Sequence, residues 1–215
     1  MHAGFPNYSQ HLHSVLTLGR NHEKIPQIVE KLGGPIVAKG VAALVEFGFV
    51  FVMRDALLDP AHRNRATRFF DDNFVIRDPY VKGGQRYYNG KFLLRTKKPG
   101  DNMNVHIEFC KNPDALFCDT PFGKTINPLE IVTTTTLTEN QALAIERNPD
   151  KVDLVIAFKD LASIINLIGR DEVDVVGLLL ENMVQLTGNV GHLFKLGAIA
   201  CEVERFIGVA NQPTH

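Results

Sequence analysis

Between residues 148 and 207 the spacing of apolar residues switches from two to about 3.6, returns to two, and switches again. Val152, Leu154, Ile156 and Phe158 fall on one side of a strand over 152–158. Leu161, Ile164, Ile165 and Ile168 then form one helical stripe, with Asp160 to cap it and Gly169 to end it. Asp171 opens a second short helix that buries Val173, Val176, Gly177 and Leu180. A short strand over 183–187 follows, Gly188-Asn189 turns the chain, and a closing helix spans 190–207.

Upstream, residues 1–20 read as a polar arm. Asn21 caps a first helix that ends at Gly33-Gly34-Pro35. A second helix covers 36–58, and Asp59-Pro60 introduces a third over 61–70. Arg63, Arg65 and Arg68 on that third helix fit a solvated face better than an anion site. Phe47, Phe49 and Phe51 circle the second helix instead of lining one face, so they are expected in the core of the helical layer.

Strands are expected at 91–97 and 104–110, joined by Pro99-Gly100-Asp101-Asn102, and at 131–137, where four threonines favour a pleated surface. In the second of these, Val105, Ile107 and Phe109 form an apolar face, and His106, Glu108 and Cys110 a polar one. The Pro-, Gly- and Asp-rich stretch 112–127 reads as loop. Three helices followed by four strands, two helices, a strand and a helix indicate an α+β fold.

The apolar run 41–53 is broken by Glu46 and is shorter than the ~20 residues a membrane span needs, so no stable insertion is expected. The 23 Lys and Arg against 24 Asp and Glu leave no positive field for nucleic acid. Cys110, Cys118 and Cys201 are odd in number and form no CxxC, and residues 1–20 hold no signal-peptide core. A cytoplasmic location is the expectation.

Pro149-Asp150 ahead of a strand, a short helix, a second helix, a strand ending in Gly188-Asn189 and a closing helix with Leu193, Lys195 and Leu196 together resemble the C-terminal half of the sterol carrier protein (lipid-transfer) domain. The hairpin from about 88 to 110 and strand 131–137 fit that family's first strands, so the resemblance covers about 88–207 and is tightest over 149–196. Glu181-Asn182 stand where the family often has Gly-Lys. The resemblance implies a mainly antiparallel five-stranded sheet covered by helices. It places a sterol carrier protein-like domain at 86–215 and an arm with helical extension at 1–85. It also implies an apolar cavity for a fatty acyl or sterol-like lipid.

The sequence independently carries surplus grease. Leu167, Val175, Leu178 and Leu179 lie off the helical stripes and still need burial. Phe158, Leu161, Ile164, Ile165, Leu167, Leu178, Leu179, Leu193 and Leu196 are the expected ligand-lining residues. The alternative is an accessory or oligomerisation module, in which the same surface meets another protein or a second copy of the chain.

No catalytic constellation stands against these readings. There is no GxSxG and no GxxxxGK[ST], and Ser14, Ser163, Gly33-Gly34 and Gly83-Gly84 lack a supporting context. His106, Glu108 and Cys110, with Cys118 nearby in sequence, have metal-ligating chemistry, but neighbouring side chains on one strand face run parallel and do not converge on an ion. His192 fits a partly exposed surface position, and Asp71-Asp72 fit a helix end. No enzyme activity, cofactor or metal is expected.

Overall fold

The computed structural model describes residues 33–58, 63–121, 123–168 and 181–207. The expected helices at 21–32 and 173–180 lie outside these residues. Helices α1 (Gly34–Leu58) and α2 (Arg63–Phe74) lead into the small hairpin β1 (Val75–Arg77) and β2 (Gln85–Tyr87). Strands β3 (Lys91–Thr96) and β4 (Asn104–Phe109) follow, then hairpin β5 (Phe117–Thr120) and β6 (Gly123–Ile126). Next come α3 (Pro128–Ile131), β7 (Val132–Thr136), α4 (Glu139–Glu146), β8 (Leu154–Phe158), α5 (Leu161–Ile168), β9 (Val184–Gly188) and α6 (Gly191–Ile207). The fold is α+β.

The described residues cluster into two compact units that interleave in sequence. Among the described residues, one comprises those of 33–44, 92–107, 134–168 and 181–189; the other comprises those of 45–91, 108–133 and 190–207.

The five-stranded sheet, in the order β7-β4-β3-β8-β9, frames the first unit. Thr96 N–H donates to Met103 O at 3.0 Å and Phe109 N–H to Gly90 O at 2.9 Å. Those bonds make β3 and β4 antiparallel and set Arg95 opposite Asn104 and Leu94 opposite Val105. β8 pairs with β3 in parallel, Leu94 beside Ile156 and Arg95 beside Ala157. β9 then pairs antiparallel with β8, Ile156 beside Leu186. The sheet is therefore mixed, with the parallel β3–β8 pair set between antiparallel neighbours. A parallel pair needs a long crossover, and here the chain passes through β4, β7 and α4 before β8 returns beside β3.

Helix α4 was not foreseen. Thr138 caps it with its side chain, Gln141 returns the bond to the Thr138 N–H, and Ala142 is fully buried. Leu137, Ala142 and Ile145 pack with Leu93, Val152, Val155 and Ala157. Successive strand residues point to opposite faces, so Phe92, Leu94, Thr96, Leu154, Ile156 and Phe158 face away from α4.

At the far edge, Gly188 has φ 114° and the Asn189 N–H donates to Asp153 O at 2.9 Å. A Cβ on Gly188 would strike that same Asp153 carbonyl. The start of α1 is equally tight, because a Cβ on Gly34 would collide with the Asp101 carbonyl.

The second unit is held by aromatic rings. Phe49 packs against Phe74 at 5.9 Å and Phe109 at 5.7 Å, and Phe70 packs against Phe117 at 5.8 Å and Tyr87 at 5.9 Å between centroids. Phe49 is buried as expected, but Phe47 is 38% exposed, because only one side of α1 faces these rings. The stretch 112–127 is not loop throughout: Phe117 pairs with Ile126 and Thr120 with Gly123 in a hairpin. α2 extends through Asp71 and Asp72 to Phe74, and buried Asn73 donates to Phe69 O at 3.0 Å.

Replacing Gly188 by Ala meets both strain and the Asp153 clash. Urea unfolding of Gly188→Ala should show a loss of about 2 kcal/mol or more. No loss would mean the turn is not built as described.

Candidate functional site

The side of the sheet away from α4 is apolar on β8 and over Phe92 and Leu94 of β3, with Thr96 at the end of β3. Phe92 and Leu154 are fully buried there, and Ile156 and Phe158 are 6% and 4% exposed. Leu94 sits on this side at the middle of the central strand, yet is only half-buried. Its neighbours along the strand face, Phe92 and Thr96, are 0% and 3% exposed. Leu186, in the same cross-strand row as Leu94 and Ile156, is also half-buried. The row Leu94–Ile156–Leu186 spans about 10 Å across three strands. A close-packed core leaves no central side chain partly uncovered.

Helix α5 packs against β8 and begins on well-fixed caps. The Leu161 N–H donates to Asp101 Oδ2 at 2.9 Å, and the Ser163 N–H and Oγ–H donate to Asp160 Oδ1 at 2.9 and 2.6 Å. Burial pushes the Asp160 carboxyl up, but Ser163, Lys159 and Lys98 outweigh it and hold it below the usual carboxylate range. Asp160 thus caps α5 as read from the sequence, and Ser163 is its hydrogen-bond partner.

Of the expected lining residues, Phe158, Leu161 and Ile164 are 4%, 5% and 3% exposed in the first unit. Leu193 and Leu196 are half-buried on α6 in the second unit. Ile165 and Leu167 lie on α5, their side chains outside the described set, as are Leu178 and Leu179 altogether. Leu94 and Leu186, half-buried in one row, are not among the expected residues. Their signal, an apolar residue in a strand that also faces a second layer, is common to every buried strand.

The opposite side of the sheet carries a polar cluster. Arg95, 8% exposed, forms ion pairs with Glu139 and Glu146 of α4. Asn104 Nδ2 donates to Glu139 Oε2 at 3.2 Å, and buried Asn104 Oδ1 has no hydrogen-bond partner among the described residues. His106, 8% exposed, shares this side; its Nε2 lies 2.9 Å from Lys151 O and so carries a proton. The expected solvated face of β4 is therefore covered, because α4 and the turn around Lys151 lie over it. Fully buried Cys110 follows at the strand end.

A cleft of about 500 Å³ adjoins the cluster, lined by Pro35, Ala38 and Lys39 of α1, by Asn102, and by residues 136–141. Its anion, Glu139, is engaged by Arg95, and none of the expected lining residues borders it. Among the described residues no group of three or more His, Cys, Asp or Glu is placed to hold a metal. No described helix is long and apolar enough to cross a membrane.

In the second unit the Tyr88 hydroxyl and His192 Nδ1 lie 2.7 Å apart, with the two rings stacked at 5.6 Å. His192 is partly exposed, as read from the sequence, but its Tyr88 partner, distant in the chain, was not legible there. Burial pushes the Cys110 thiol up to about 12. In a timed thiol titration exposed Cys201 should react first and Cys110 only on unfolding; rapid modification of Cys110 in the folded protein would contradict its burial. Removing Arg95 (R95A) strands two carboxylates beside a cavity and should cost roughly 2–4 kcal/mol by thermal or chemical unfolding, whereas Glu146→Gln, on the more exposed partner, should cost under about 1 kcal/mol.

Searches of protein-family models, curated proteins and solved structures find no match to this chain.

Proposed function

We propose that this chain binds an apolar small molecule, a fatty acyl or sterol-like lipid, over the sheet face that carries Leu94, and carries or presents it. The observation that supports this most is the half-buried Leu94 on the central strand, beside buried Phe92, Leu154, Ile156 and Phe158. A side chain there normally has a packed neighbour; a hollow above it is room for a guest. Binding would come from buried apolar area, at about 25 cal/mol per Å² removed from water.

A second support is the order of the elements. Hairpin β3–β4, strand β7, strand β8 behind Pro149-Asp150, helix α5, strand β9 ending at Gly188 and closing helix α6 follow the order that the sterol carrier protein resemblance implies. The three cysteines are free thiols, which suits a carrier working in the cytoplasm. The reading needs no catalytic group, cofactor or metal.

Leu94→Trp tests it. In a solid core the larger ring would cost about 1–3 kcal/mol. In a hollow it fills space that the ligand would use. The expected result is unchanged or raised stability together with at least about tenfold weaker binding of a fluorescent fatty acyl probe. A protein that neither co-purifies with lipid nor binds the probe, and that Leu94→Trp destabilises, would overturn the reading.

A further inference from the structure

The tip of hairpin β1–β2 is held by its own bonds. Asp78 Oδ1 accepts from the Tyr80 N–H at 3.1 Å, and Asp78 Oδ2 accepts from Arg86 Nε at 3.1 Å. Across the turn the Asp78 N–H donates to Gly84 O and the Gly84 N–H to Val81 O, both at 3.0 Å. Gly83 and Gly84, at φ 94° and 70°, bring the chain back. This tip holds Tyr80 95% exposed, with Pro79 exposed before it. A ring this bare gains nothing from its own fold, because the hydrophobic gain comes only with burial. The charge around it is one-sided. Residues 75–91 carry Arg77, Lys82, Arg86 and Lys91 against one acid, Asp78, in a chain of 23 Lys and Arg and 24 Asp and Glu. Arg86 pairs with Asp78. Arg77 and Lys82 are exposed and have no acidic partner among the described residues.

We propose that this tip docks peripherally on an anionic membrane surface, with Tyr80 seated among the headgroups and Arg77 and Lys82 against their negative charge. Tyrosine suits that boundary, since its ring is apolar and its hydroxyl stays wet. The turn is already ordered, so docking costs little conformational entropy. A nucleic acid is the poorer fit. Two free cations meet few phosphates, and Tyr87 packs on Phe70 and Phe117 instead of standing ready for a second base. The inference goes beyond the ligand reading and does not depend on it, because vesicle binding by the full chain needs no ligand on the Leu94 face. Where both hold, the tip gives the carrier a surface from which to take up or deliver its cargo.

Co-sedimentation of the full chain with vesicles tests it, comparing pure phosphatidylcholine with vesicles that also hold about 30% phosphatidylserine. Each cation beside an anionic bilayer is worth about fivefold in binding, so the anionic vesicles should bind roughly 30-fold better at low salt. That preference should fade by about 0.5 M NaCl. Lys82→Glu cancels Arg77 and should abolish the preference, and Tyr80→Ser should weaken binding to the anionic vesicles at least about threefold. Both side chains stand in solvent, so far-UV dichroism and melting of the two variants should match the parent. Lys151→Glu makes the same charge change at an exposed position in the other unit and should leave binding within about twofold. Equal binding to both vesicle types, an equal loss from Lys151→Glu, binding unmoved by both tip variants, or tighter binding to a single-stranded oligonucleotide than to the anionic vesicles would overturn it.

Discussion

The parallel pairing of β3 with β8 is the constraint on which the rest of the first unit depends. It places Leu94 beside Ile156 and Arg95 beside Ala157, and so decides what each side of the sheet carries. One side receives Leu93, Val155 and Ala157 and is closed by α4. The other receives Phe92, Leu94, Ile156 and Phe158, and there Leu94 is left partly uncovered. A one-residue slip would exchange the two sets, burying Leu94 under α4 and turning Arg95 into the apolar face. Arg95 opposes that slip, since its two carboxylate partners lie on α4.

The two sides do different jobs. The α4 side is polar at its margin, where Arg95, Asn104 and the His106–Lys151 contact tie the strands to α4 and the turn beside it. Such a cluster fixes register more than it adds stability. The apolar side contributes burial, and its one loosely covered row supplies the candidate site. The second unit follows another logic. Its rings, Phe49, Phe70, Phe74, Phe109 and Phe117, form an aromatic core, and α6 joins the unit through hydrogen bonds of Glu202 and His192 together with buried Ile199.

Much of the secondary structure was legible because its causes are local. Alternation at 152–158, the Asp160 cap and the turn at 99–102 each act within a few residues. Helix α4 carried a local signal too, Thr138 three residues before Gln141, but the preceding run of threonines and the small residues Ala142 and Ala144 masked its stripe. The hairpin β5–β6 is built from residues that elsewhere make loops, and only its pairing reveals it. The parallel crossover, the covering of His106 and the Tyr88–His192 pair join positions far apart in the chain. No spacing rule reaches them. The site was legible only as a surplus of aliphatic side chains near 158–179; Leu94 and Leu186 enter because register, not composition, puts them in one row with Ile156.

The account rests on the proposal that the partly uncovered Leu94 row accepts an apolar guest. Photo-crosslinking the full chain with a diazirine-bearing fatty acid, and mapping the adducts by mass spectrometry, examines that point directly. Adducts concentrated on peptides holding Leu94, Ile156 and Leu186, and competed away by unlabelled fatty acid, are the predicted result. Labelling spread over the surface, or confined to the exposed side of α6, would contradict it.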